Sequence, residues 1–141
     1  NEQKWSKPLM DAGWTAIPLV IFERQRALEL DPLDVNIVLH LAGYWWTADN
    51  KPHPSKTRIA DAIGVTARTV QRRIAMLEKA GYIRREERRI PGGASKTNLY
   101  HFDGLIKAAL PLAQEKLNVR KKRAEDEKAR TRRKRPRLEI V

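Results

Sequence analysis

Arg68, Gln71 and Arg72 fall within little more than one helical turn of each other in "GVTARTVQRRIAMLEKAGYIRREERRIPGGASKTNLY", residues 64–100. These side chains carry the long donors that reading a nucleic-acid groove demands. A guanidinium can pair two donors with O6 and N7 of guanine, and a carboxamide can bond the edge of adenine in the same bidentate way. At about 100° per residue, Arg68 and Arg72 lie opposite an apolar stripe of Val70, Ile74 and Leu77. Thr69 and Gln71 flank the two arginines, and Arg73 borders the stripe. Arg68, Thr69, Gln71 and Arg72 are therefore the base-reading candidates.

Phosphate asks only for charge and free N–H groups, so more positions qualify. Ser55, Lys56 and Thr57 open the preceding helix, where the backbone N–H groups point outward. Ser55 is expected as the cap, and Lys56 or Thr57 as the contact. Arg73, Arg84, Arg85, Arg88, Arg89, Gly93, Ser95 and Lys96 complete the phosphate or wing set. Glu86 and Glu87 compete for some of these arginines. The plainer alternative is a solvated charged face, which any amphipathic helix can present.

Positioning such groups requires a frame, and the apolar pattern outlines one. Residues 1–14 show no period and read as a lead-in. Residues 15–30 suggest a helix with Pro18 in its first turn. Asp31 or Asp34 caps the next helix, where Val35, Val38, Leu39, Leu41 and Ala42 form a stripe closed by Trp45 and Trp46. Residues 47–55 concentrate Pro, Asn and Asp and read as a loop. Ser55 caps a short helix, "KTRIADAI", with Ile59, Ala60 and Ile63 inward. Gly64 makes the turn, Val65 plugs it, and Thr66 caps a helix over 67–79 whose Ala67, Val70, Ile74 and Leu77 are buried. Gly81 ends that helix. "YIRREERRI" and "KTNLYHF" read as two strands around the turn-rich "PGGAS".

Helical spacing returns over 103–117, with Pro111 starting or kinking a helix. Leu105, Ile106, Ala109, Leu112, Ala113 and Leu117 form a seam there, which either packs on the domain's own first helices or joins two copies. Residues 118–141 are a basic tail, helical or disordered. Trp14, Phe22, Trp45, Trp46, Tyr82 and Tyr100 are assigned to packing rather than to stacking on bases.

The net charge of +12 is unevenly spread along the 141 residues. Residues 1–54 hold 5 basic and 7 acidic side chains, residues 55–102 hold 11 and 4, and residues 118–137 hold 11 and 3. Two basic blocks beside a slightly acidic amino-terminal third favour a polyanionic partner. The sequence has no cysteine, which excludes disulfides and thiolate metal sites and suits an intracellular home. No apolar run approaches the ~20 residues that span a bilayer. The chain starts at Asn1 rather than Met, as a piece of a longer protein would.

The order is helix, helix, tight turn, helix, hairpin, and its part from the second helix onward is carried by "PSKTRIADAIGVTARTVQRRIAMLEKAGYIRREERRIPGGASKTNLY". This stretch resembles the winged helix-turn-helix domains of bacterial regulators and of plasmid or phage replication proteins. "GWTAIPLVIFERQRALELDPLDVNIVLHLAGYWW" is similar to the leading helices of that group. The expected fold is mainly α with a small β-hairpin wing, a winged helix-turn-helix domain over 15–102 followed by a C-terminal helix and the basic tail. The resemblance implies that helix 67–80 enters the major groove of double-stranded DNA and that wing 82–102 lies on the backbone or minor groove. It implies a transcriptional regulator, or a replication or partition protein of a plasmid or phage, associated with DNA in a bacterial cytoplasm. RNA or single-stranded DNA binding through the tail is the other reading, and a homodimer is the preferred assembly.

His40, His53 and His101 are scattered without the spacing of a metal site, and Gly92–Gly93 lacks the Lys-Ser/Thr that follows a phosphate-cradling loop. No nucleophile signature accompanies the serines. No enzyme activity, cofactor, metal, small-molecule ligand or membrane contact is expected.

Overall fold

The computed structural model describes residues 1–45, 55–89 and 96–134. The expectations for Trp46, the loop at 47–54, the hairpin tip with Gly93 and Ser95, and the tail beyond Lys134 lie outside those residues.

Two short helices, α1 (Glu2–Trp5) and α2 (Lys7–Ala12), occupy the lead-in that shows no period. Neither buries a residue, so no apolar stripe marked them. The helix expected over 15–30 is much shorter, α3 (Leu19–Glu23), and Pro18 stands before it as the N-cap. Residues 24–29 form successive turns, with Glu29 at φ 58 and the Leu30 N–H reaching the Gln25 carbonyl at 2.8 Å. The reason is burial. Leu28 and Leu30 are both inside, and on a regular helix positions two apart point about 200° from each other.

Helix α4 (Pro32–Trp45) begins with a reciprocal cap. Asp31 Oδ1 accepts from the Asp34 N–H at 2.8 Å, and Asp34 Oδ2 accepts from the Asp31 N–H at 3.0 Å. Two orphan donors of the first turn are satisfied in this way, with Pro32 where its missing N–H costs nothing. The buried face is Ile37, Val38, Leu41 and Ala42. Ile37 joins the expected stripe at its centre, whereas Val35 and Leu39 sit at its half-buried margins.

Helices α5 (Lys56–Ile63) and α6 (Ala67–Lys79) pack on each other and on α4. Ile59 and Ala60 meet Val70, Ile74 and Leu77 in one core. Ala67, assigned to that stripe, is exposed, because it sits in the first turn beyond the helix crossing. The C-cap of α6 is Ala80, with Gly81 just past it. Strands β1 (Arg84–Arg89) and β2 (Lys96–His101) form an antiparallel hairpin, paired from Arg84↔His101 to Arg89↔Lys96. Ile83, Tyr100 and Phe102 anchor its base in the core.

A single helix, α7 (Asp103–Lys134), follows the hairpin. Its start is pressed against the end of α6: a Cβ at Gly104 would fall inside the van der Waals shell of the Gly81 carbonyl oxygen. There the Leu105 N–H donates to the Tyr82 carbonyl at 3.0 Å, and the Tyr82 hydroxyl donates to the Leu28 carbonyl at 2.6 Å. The helix runs through Pro111 rather than starting at it, and continues across the boundary placed at 117. The expected seam divides. Leu105 and Ala109 are buried, Leu112 and Ala113 are half-buried, and Ile106 and Leu117 face solvent. Lys116 donates to Glu23 at 2.5 Å and Arg24 approaches Glu115 at 3.6 Å, tying α7 to α3 and the turn after it.

Tyr82 and Tyr100 pack as expected, but Trp14 and Phe22 do not, being 71% and 37% exposed. Trp14 lies in the extended link before α3, and Phe22 on its outer side.

Candidate nucleic-acid interface

The α5–α6 unit is held by its caps. Ser55 Oγ accepts from the Arg58 N–H at 3.1 Å, and Thr66 Oγ1 accepts from the Thr69 N–H at 3.2 Å. Gly64, at φ +86, closes the turn between the helices, and its N–H and that of Val65 both reach the Ala60 carbonyl. A left-handed residue with no Cβ is what this reversal requires.

Burial of Val70, Ile74 and Leu77 turns the other side of α6 outward. Arg68, Gln71 and Arg72 are all exposed, on the amino-terminal half of the helix. Thr69 is half-buried, and its hydroxyl lies 2.9 Å from that of Thr66, so it belongs to the cap as well as to the face. Met76, 59% exposed, continues the Arg68–Arg72 row by one more turn. It carries no long hydrogen-bond donor, the property that singles out Arg68, Gln71 and Arg72 in the sequence.

Arg73 differs from its neighbours. Its Nη1 lies 2.7 Å from Asp31 Oδ2 and 3.7 Å from Asp34 Oδ2, so it ties α6 to the first turn of α4. A guanidinium engaged this way orients α6 against α4 and is less available to other anions. Asp34 is 6% exposed. Burial holds its carboxyl above the usual carboxylate range, while the Asp31 N–H and Arg73 pull the other way.

On α5, Thr57 is exposed and Lys56 half-buried, and Ser55 is the cap. Arg58, exposed on the same first turn, offers a longer donor than either. Its position three residues after the cap was the signal that could have found it. On the wing, Arg84 and Arg85 are exposed on opposite faces of β1. Arg84 approaches Asp103 at 3.9 Å, and His101 Nε2 lies 2.6 Å from Glu86 Oε2 across the hairpin. Arg88 and Arg89 pair with Thr97 and Lys96 in the ladder. Burial pushes the Tyr100 hydroxyl above its ordinary range, with nearby Arg85 opposing, so the phenol stays neutral in the wing base.

Residues 28–83, from the turn after α3 to the start of the hairpin, match the family model of a helix-turn-helix domain. The two-stranded hairpin follows it directly. The protein contains a winged helix-turn-helix. The helix-turn-helix supports DNA binding in general, and its two helices are α5 and α6, with the β1–β2 hairpin after them. A search of curated proteins finds no match. Among the described residues, no group of His, Asp and Glu could hold a metal ion, and no helix is long and apolar enough to cross a membrane.

Proposed function

We propose that the protein reads a specific duplex DNA sequence through Arg68, Gln71 and Arg72, as a transcriptional regulator. The observation that carries this reading is the pairing of burial and exposure on one capped helix. Val70, Ile74 and Leu77 fix its rotation, leaving three bidentate-capable side chains free near its amino terminus, where a helix enters the major groove. Met76 extends the face with an apolar contact suited to a thymine methyl. Thr57 and Arg58 on α5, with Arg84, Arg85, Arg88, Arg89 and Lys96 on the wing, supply phosphate contacts. Arg73 is reassigned from phosphate to positioning. No cofactor or catalysis enters this reading.

Selection of bound sites from a random duplex pool gives the motif. Arg72→Ala should then cost about 1–3 kcal/mol on the selected site and little on random DNA. Equal loss on both removes the base-reading role.

A homodimer has its own support. Ile106, Leu110, Ala113 and Leu117 recur at alternating spacings of four and three along α7, and all but the half-buried Ala113 are exposed. A two-fold symmetric selected motif, with a dimer mass in solution, is the expected result; a single half-site bound by a monomer contradicts it. Control of replication in place of transcription rests on the same interface, and the genomic location of the selected motif separates the two.

A further inference from the structure

Beyond Leu117, α7 leaves the body of the domain, and every side chain from there to Arg133 is exposed. Residues 120–133 hold 8 basic and 3 acidic side chains, with Ala124 and Ala129 the only apolar ones. Among the described residues, none of these charges takes part in an ion pair. Such a helix gains nothing from packing, and its like charges repel.

The charge surrounds the helix instead of lining one face. Arg120, Lys121, Lys122 and Arg123 step round the circumference by about 100° each. An in-plane membrane anchor needs an apolar face opposite its basic one, which this extension lacks. An acidic protein surface would meet one side and leave the rest unmatched. A groove has phosphates on both flanks. A helix about 10–12 Å across fits the major groove of B-form DNA, about 12 Å wide. The deep, narrow major groove of an RNA duplex does not admit it. Residues 120–133 contain no Asn or Gln, so the adenine-reading side chains are missing.

Its location is separate from α6. Helix α7 is joined to the carboxyl-terminal end of α6 through Leu105 and Tyr82, whereas Arg68 and Arg72 occupy the other half. The basic extension begins about 20 Å further along α7. We propose that the exposed part of α7 is a second duplex-DNA site, sequence-independent, which lies in the major groove and acts apart from the recognition helix. It stands whether or not α6 reads bases.

The test replaces Arg120, Lys121, Lys122 and Arg123 with Gln in the full chain. Binding to random-sequence duplex is followed by fluorescence anisotropy between about 50 and 300 mM salt. The slope of log K against log salt should shrink by about 3, and low-salt affinity should fall at least about tenfold, equally on all sequences. Replacing Arg120 and Arg123 with Lys should keep both. Arg72→Ala in the same assay should change the slope by about 1 at most, so failure of the α6 reading is distinguishable. An unchanged melting temperature verifies that the fold is retained, as expected for side chains that are exposed among the described residues. Unchanged slope and affinity in the Gln variant would overturn the proposal. So would losses confined to single strands or RNA, or to an acidic protein partner.

Discussion

Helix α6 and the outer half of α7 are both basic helices, and they relate to the molecule in opposite ways. Helix α6 is capped by Thr66, anchored by Val70, Ile74 and Leu77, and clasped at Arg73 by Asp31. Its exposed arginines therefore have fixed directions. The outer half of α7 carries more charge, and its side chains to Arg133 are exposed among the described residues. Its charges are free to follow a phosphate backbone, without a fixed register for reading bases. Charge sets the attraction to a polyanion, and burial on the opposite face decides whether that charge can discriminate.

Removing the anchor is the most damaging way to erase this difference. Ile74→Ala should destabilise the fold by about 2–5 kcal/mol, with DNA recognition lost in parallel. Ala129→Gly on the free extension should leave thermal unfolding of the domain unchanged. Calorimetry on both variants makes the comparison, and a similar loss in each would show that the extension packs somewhere.

Gly104→Ala acts at the joint between the two helices. The added methyl meets the Gly81 carbonyl oxygen, with an expected cost of about 1–3 kcal/mol. Salt-dependent binding to random duplex at low temperature should survive. Thr66→Ala removes the cap at the amino-terminal end of α6 and should cost about 1 kcal/mol, seen as faster amide exchange at Thr69. Protection unchanged there would leave the cap without a role in rigidity.

The smallest effect is a pH dependence at Asp34. Burial raises its folded-state pKa above 3.8, so the folded protein holds this proton more tightly than the unfolded chain. The stability it contributes is present at low pH and is lost as pH rises through the folded value. Urea denaturation of wild type and Asp34→Asn from about pH 3.5 to 7 should show wild type losing ground to the variant as pH rises. A gap moving in favour of wild type would mean that Arg73 outweighs burial.

Much of this arrangement was legible in the residues. Ser55, Gly64 and Thr66 announced their turns, and the spacing of Val70, Ile74 and Leu77 marked the inward side of α6. Local bonding and helical period act over a few residues, which is why they can be read there. Arg73 could not be placed in this way, since its partner Asp31 lies far off in the chain. Residues 24–30 misled for a similar reason: two leucines that no single helix face can bury were both required by the core. The exposure of Trp14 and Phe22, against an expectation of packing, likewise depends on where other elements come to rest.

The sequence by itself determined the helix-turn-helix, its hairpin, and the charge that draws the protein to a polyanion, because each is written in neighbours and periods. Only the tertiary structure decided that Arg73 is a clasp, that Met76 and Arg58 join the exposed face, and that one α7 is packed at its start and bare at its end. Those outcomes depend on groups distant in the chain meeting in space, and no local pattern encodes which of them will meet.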